Sequence, residues 1–228
     1  MPTSHSDIMD FPIYPDDLVP KVLQGTDIQR NGWYPWIYGI CKDNDGEQLL
    51  LVVSINVGFG GPRARVYVKG TYLDVKPDTS KRTYSDGILT IGDMPKITID
   101  YNHPHRVRVD FDSQTYMEFD VTYRGAPLWY GKTTNPDDCL RITRNMRCGG
   151  YDAPCVIAGR AVRGTTTVTF DGYGVWEHTW LFGPMEWGAI HTKWFIFNDA
   201  KYAGALATSW DEINGELILK RARANVLT

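Results

Sequence analysis

Short runs of Val, Ile, Thr, Tyr and Phe, each bounded by Gly, Asp, Asn or Pro, recur along the chain, and helix-period segments are almost absent. In Arg106-Val107-Arg108-Val109-Asp110-Phe111 charged and apolar residues alternate, which predicts a strand with one wet face and one buried face. Residues 49–53 are apolar throughout and predict a strand covered on both sides. Residues 33–41, the turn Lys42-Asp43-Asn44-Asp45-Gly46 and residues 48–56 predict a hairpin, with Gly46 supplying the positive φ of a tight connection. The same pattern predicts strands over 63–69, 71–75, 88–91, 96–101, 106–111, 116–123, 156–162, 165–170, 175–180, 190–197, 203–210 and 216–219. With about a dozen strands and no β-α-β alternation, the expectation is an all-β, antiparallel barrel or strongly curved sheet.

The length of 228 residues suits one large β-domain over 1–228, with residues 1–30 as an extended N-terminal segment. The least regular stretch, 133–154, reads as a long connection or lid, with a short helix over 136–145 capped by Asn135. The 24 basic and 27 acidic residues are scattered and the net charge is −3, so no nucleic-acid partner is expected. No apolar run is long enough for a membrane span and the polar N-terminus is unlike a signal peptide, so the expected location is cytoplasmic. The four cysteines, Cys41, Cys139, Cys148 and Cys155, have no Cys-x-x-Cys spacing and read as buried free thiols. In an oxidising compartment a bridge between Cys148 and Cys155 is the alternative.

The densest chemistry is Gly172-Tyr173-Gly174-Val175-Trp176-Glu177-His178-Thr179-Trp180, where an acid and an imidazole lie among aromatic rings. On a strand Val175, Glu177 and Thr179 share one face and Trp176, His178 and Trp180 the other, so Glu177 and His178 meet in one cavity only through a bulge. A carboxyl surrounded by apolar rings has a raised pKa and can give up a proton near neutrality, and a His can relay or orient. The alternative is a buried polar pair that satisfies backbone groups. His191 shares a strand face with Lys193 and Phe195 and can approach this group if its strand pairs with 175–180. No ligand spacing such as His-x-x-x-His is present, so neither a metal nor a cofactor is expected. His103 and His105, around Pro104, read as a solvated turn, and Gly58-Phe59-Gly60-Gly61-Pro62 as a hairpin tip.

The pattern Gly-x-Gly-x-x-Glu-His-x-Trp resembles the Gly-x-Gly-Tyr-x-Asp-His-Asn-Trp signature of the lipocalin-like superfamily of carotenoid 1,2-hydratases, AttH-like proteins and decalin-forming Diels–Alderases. Gly32-Trp33-Tyr34 before Asp45-Gly46, Gly125-Ala126-Pro127-Leu128-Trp129, and Trp187 with Phe197-Asn198-Asp199 are similar to further segments of that family in order and spacing. The resemblance implies a lipocalin-like, calycin-type barrel, and it maps the hydratases' proton-donating Asp onto Glu177. Val175 stands where the signature has Tyr. Familiar members carry two such domains and only 48 residues follow Trp180, so the resemblance implies a single-domain or truncated version.

Together these observations predict a cofactor-independent enzyme that binds a hydrophobic terpenoid- or polyketide-like metabolite and promotes proton-assisted cyclisation, isomerisation or hydration. The expected catalytic residues are Glu177, His178 and His191, with Trp33, Trp129, Trp176, Trp180 and Trp194 shaping the pocket. A non-catalytic carrier of an apolar small molecule is the alternative function. A third is an interaction module whose aromatics form a dry subunit interface.

Overall fold

The structure is a computed structural model that describes residues 32–54, 63–68, 71–102, 105–125, 127–131, 140–141, 147–182, 192–213 and 216–227. Every regular element among the described residues is a strand. In chain order these are β1 Gly32–Asp43, β2 Gln48–Ser54, β3 Arg63–Val68, β4 Thr71–Val75, β5 Arg82–Ser85, β6 Ile88–Ile91, β7 Lys96–Asp100 and β8 His105–Asp110. They continue with β9 Thr115–Tyr123, β10 Leu128–Gly131, β11 Leu140–Arg141, β12 Arg147–Arg163, β13 Thr166–Phe182, β14 Thr192–Asn198, β15 Ala203–Ile213 and β16 Glu216–Leu227. The main sheet is an antiparallel, curled half-barrel in the order β4-β3-β2-β1-β13-β12-β9-β8-β7-β6-β5, while β14, β15 and β16 form a second, smaller sheet.

The alternation predicted for 106–111 is present. Val107 and Val109 are fully buried on β8, while Arg106 and Arg108 lie on the wet face and pair with Asp120 and Glu118 across the ladder. The inner faces of β1, β2, β7, β8, β9, β12 and β13 meet in one core that includes Ile37, Leu51, Ile99, Val107, Phe119 and Ile157. Each such side chain, fully buried, contributes about 1.5–3 kcal/mol.

Several expectations need correction. β2 is buried on one face, through Leu49, Leu51 and Val53, while Leu50 on the other face is 44 % exposed. β5, with the polar sequence Arg-Thr-Tyr-Ser, escaped the hydrophobic pattern because it is an exposed edge strand. It is joined to β6 by Asp86 and Gly87, both at positive φ (53° and 80°), the geometry of a two-residue hairpin.

The expected lid is shorter than 133–154, since residues 147–154 form the first half of the 17-residue strand β12. Leu140 and Arg141, placed in a helix by the capping pattern, pair as β11 with Cys148 and Arg147. The remainder of 133–146 lies outside the described residues. Cys41, Cys148 and Cys155 are buried, and no disulfide joins them. Seven residues along one extended strand separate Cys148 from Cys155 by about 23 Å, far beyond disulfide reach. Among the described residues, no helix is long and apolar enough to cross a membrane.

Candidate functional site

The Gly-x-Gly-x-x-Glu-His-x-Trp segment lies within β13, which pairs with β1 on one side and β12 on the other. Gly172 and Gly174 let the backbone of β1 come close: a Cβ at either position would run into the carbonyl oxygen of Ile40 or Tyr38. Gly39, opposite Gly174, leaves room for Ile157, whose Cδ1 would lie 2.7 Å from an added Cβ. The glycines of the motif therefore serve packing. The β1–β13 register runs without a shift from Gly32↔Leu181 to Asp43↔Phe170, so no bulge brings Glu177 and His178 together. They point to opposite faces.

The inner face holds Trp176 and His178, which are 1 % and 2 % exposed. Trp176 stacks on His105 with ring centroids 4.3 Å apart and meets Tyr101 edge-on at 5.8 Å. The His105 ring nitrogen Nε2 lies 2.5 Å from the Tyr123 hydroxyl. Tyr151 contacts both His178, at 5.5 Å, and Trp129, at 4.8 Å. His105 is thus fully buried, and the solvated turn expected there is corrected. Its spacing with Val107 and Val109, two residues apart each time, is the strand signal that places it inward. His103 lies outside the described residues.

The outer face holds Glu177. The Tyr38 hydroxyl donates to Glu177 Oε2 at 2.8 Å, and the Thr179 hydroxyl donates to Oε1 at 3.2 Å. Asp152, fully buried, stands opposite Glu177 on β12. Desolvation pushes the Glu177 carboxyl up to about 7 against the two hydrogen bonds, which favour its ionised form. The Tyr38 hydroxyl is pushed far above its ordinary value by burial and then by the negative charges of Glu177 and Asp152. Both Glu177 and Tyr38 are half-buried and so keep some accessible surface.

The small sheet is tied to this outer face. Asn198, at the end of β14, donates its amide to the carbonyl oxygens of Cys155 and Gly174 at 2.8 and 2.6 Å. Arg124 bonds Asn198 and the Asp199 carbonyl while lying over the Tyr173 ring. Beyond that anchor β14 and β15 approach β13 and β12. There the outer face is buried, with Val175 and Thr179 3 % and 4 % exposed.

Of the residues singled out in the sequence, Trp129, Trp176 and His178 are brought together inside and Glu177 is set apart from them. Trp33 and Trp180 are register partners on β1 and β13, and Trp194 lies opposite Ala207 on β14, but their side chains lie outside the described residues. His191 also lies outside them. Tyr38, Asp152, His105, Tyr123 and Tyr151 were not singled out for chemistry. Asp152 and Tyr151 carry a polar signal only when β12 is recognised as a strand, and Tyr38 only when β1 is known to pair with β13.

No family model matches the chain, and no curated protein does. Among solved structures the chain is similar to an AttH-like protein from Nitrosomonas europaea, with a TM-score of 0.60 at 12 % identity, covering 95 % of this chain and 71 % of the other. That similarity, with the curled antiparallel sheet, makes the fold lipocalin-like.

Proposed function

We propose that the protein binds a hydrophobic terpenoid- or polyketide-like metabolite and promotes proton-assisted cyclisation, isomerisation or hydration, with Glu177 as the acid. A lipocalin-like fold suits the binding of a small apolar molecule, and in this reading the molecule meets Glu177 on the outer face of β13, where the small sheet approaches, rather than inside the half-barrel. The observation that carries the catalytic part is the Glu177 carboxyl itself. It is desolvated to a pKa of about 7, held at both oxygens by Tyr38 and Thr179, and still partly accessible. A general acid works best when its pKa lies near the ambient pH. Tyr38 and Thr179 steady the anion once the proton has left, and Tyr38 does not compete as a donor because its own proton is held far more tightly.

His178 lies on the opposite face, so its contribution is to pack beneath β13 and orient Tyr151 rather than to exchange protons with Glu177. The test is Glu177→Gln, assayed against candidate polyene and polyketide substrates. Turnover is expected to fall at least about 100-fold, the usual worth of a general acid, with substrate affinity retained. Unchanged turnover overturns the acid role.

One observation favours the carrier function instead. The Trp176 indole N–H and the Tyr101 hydroxyl are buried inside the half-barrel with no hydrogen-bond partner among the described residues. A ligand oxygen held there would satisfy them. In that case Trp176→Phe would weaken ligand binding and Glu177→Gln would not.

A further inference from the structure

Outside the site around Glu177, six side chains line up across the sheet. Tyr72 on β4 stands opposite Tyr67 on β3, Tyr67 opposite Leu50 on β2, and Leu50 opposite Ile40 on β1. Ile40 in turn stands opposite Tyr173 on β13, and Tyr173 opposite Val156 on β12. Directly opposed residues of an antiparallel ladder share one face, so the six form a single row on the outer face of the half-barrel. Tyr72, Tyr67, Leu50, Ile40 and Val156 are 37–60 % exposed, and Tyr173 is half-buried. A scattered exposed Leu or Ile is ordinary, but these positions are contiguous. Spacings between neighbouring strands make the row about 24 Å long. With an aromatic side chain covering roughly 150–250 Å2 and an aliphatic one somewhat less, a row exposed by about half presents on the order of 500 Å2. Sheet stability alone does not require it, since charged pairs serve a wet face equally well, as Arg106 with Asp120 and Arg108 with Glu118 do on β8 and β9. The small sheet approaches the same face beyond Tyr173, where Val175 is buried, and Arg124 lies over the Tyr173 ring at that boundary.

We propose that this row is the contact surface through which two copies of the chain form a homodimer. Charge and area select a second copy as the occupant. The charged residues two positions along the strands are balanced in sign: Lys42 and Asp171, register partners, lie on one side, and Arg65 and Asp74, 3.9 Å apart, on the other. An acidic or basic partner finds no single-sign field there, whereas two identical copies meet with a cation and an anion available on each flank. Two rows buried against each other remove about 1,000 Å2, and the flanking charges bring the total to the lower end of the roughly 1,200–2,000 Å2 of a specific complex. An interface of that size, apolar at its centre and polar at its rim, belongs to the weak, reversible class. Tyr38 is the next outward residue of β1 after Ile40, so the interface borders the Glu177–Tyr38 pair without including it, and dimerisation does not depend on an acid role for Glu177.

The test is sedimentation velocity of the full chain over a series from low micromolar to several hundred micromolar. The wild type is expected to pass from the monomer mass to twice that mass. Leu50→Lys and Ile40→Lys each set an unpaired charge in the apolar centre and are expected to weaken association at least about 10-fold. Ile88→Lys, at an exposed apolar position on β6 outside the row, is expected to leave it unchanged. Because each protomer closes its core beneath the row, the lysine variants change association without unfolding the dilute monomer, which circular dichroism checks. Hydroxyl-radical footprinting of the wild type is a second readout that needs no variant: oxidation of Tyr67, Tyr72 and Leu50 is expected to fall several-fold as the concentration rises, with Met94 and Ile88 unaffected. A chain that stays monomeric throughout the series overturns the proposal. So does a dimer that the two row substitutions leave intact, or one whose protection falls on Met94 and Ile88 instead.

Discussion

Glu177 is held between opposing influences, and the balance has a sign. Burial raises its pKa from the ordinary 4.5 to about 7, so between those values the folded chain binds a proton that the unfolded chain has lost. The contribution to stability is therefore fully present below pH 4.5 and disappears as the pH rises through about 7. A shift of that size corresponds to on the order of 3 kcal/mol. Urea unfolding is expected to show the wild type losing stability between pH 5 and pH 8, while Glu177→Gln loses much less over the same interval. Tyr38→Phe removes a donor that favours the anion, so the Glu177 midpoint should move up in a carboxyl titration. At this scale the opposite facing of Glu177 and His178 was legible, because it follows from a period of two. The company Glu177 keeps was not: Tyr38 lies 139 residues away, and nothing local announces the pairing. His105 was misjudged because the adjacent Pro104 suggested a turn, although its alternation with Val107 and Val109 pointed inward.

Strands β12 and β13 are 17 residues each, far longer than the separate segments that hydrophobicity predicts over 156–162, 165–170 and 175–180. Gly150, Gly159, Gly172 and Gly174, which interrupt the pattern, serve instead as places where neighbouring strands come close, and Pro154 sits within β12 with its carbonyl accepting from the Arg124 N–H. Gly39 and Gly174 make a discriminating pair. An added methyl at Gly39 first meets the flexible end of Ile157, then Leu51 at 3.1 Å, whereas one at Gly174 meets the backbone carbonyl of Tyr38 as well as Ile157. Gly39→Ala and Gly174→Ala should each cost about 1–3 kcal/mol by thermal unfolding. Adding Ile157→Val, which removes Cδ1, should recover part of the loss for Gly39→Ala and much less for Gly174→Ala. The small sheet was legible as strands over 190–197, 203–210 and 216–219, but its separation from the main sheet was not, because strand patterns carry no pairing information.

For the whole molecule, the all-β class and the strong curvature were legible from alternation and turn residues, and the similarity to a solved AttH-like structure agrees with them. The coverage of each face was not legible. Leu49 and Leu50 are indistinguishable in sequence, yet only the first is inside. Leu50→Lys is expected to change stability by no more than about 0.5 kcal/mol, and Leu49→Lys to unfold the protein, both measured by chemical denaturation. The pairing of β1 with β13 also sets an order of events in time. β1 is made before β13, its partner more than a hundred residues downstream, with Tyr38 waiting for Glu177 across 139 positions. Such distant contacts place refolding in roughly the millisecond-to-second range, which stopped-flow tryptophan fluorescence would report. On the ribosome, the edge of β1 that faces β13 must remain unpaired until β13 has been synthesised, and chains arrested before β13 are expected to be the ones that aggregate.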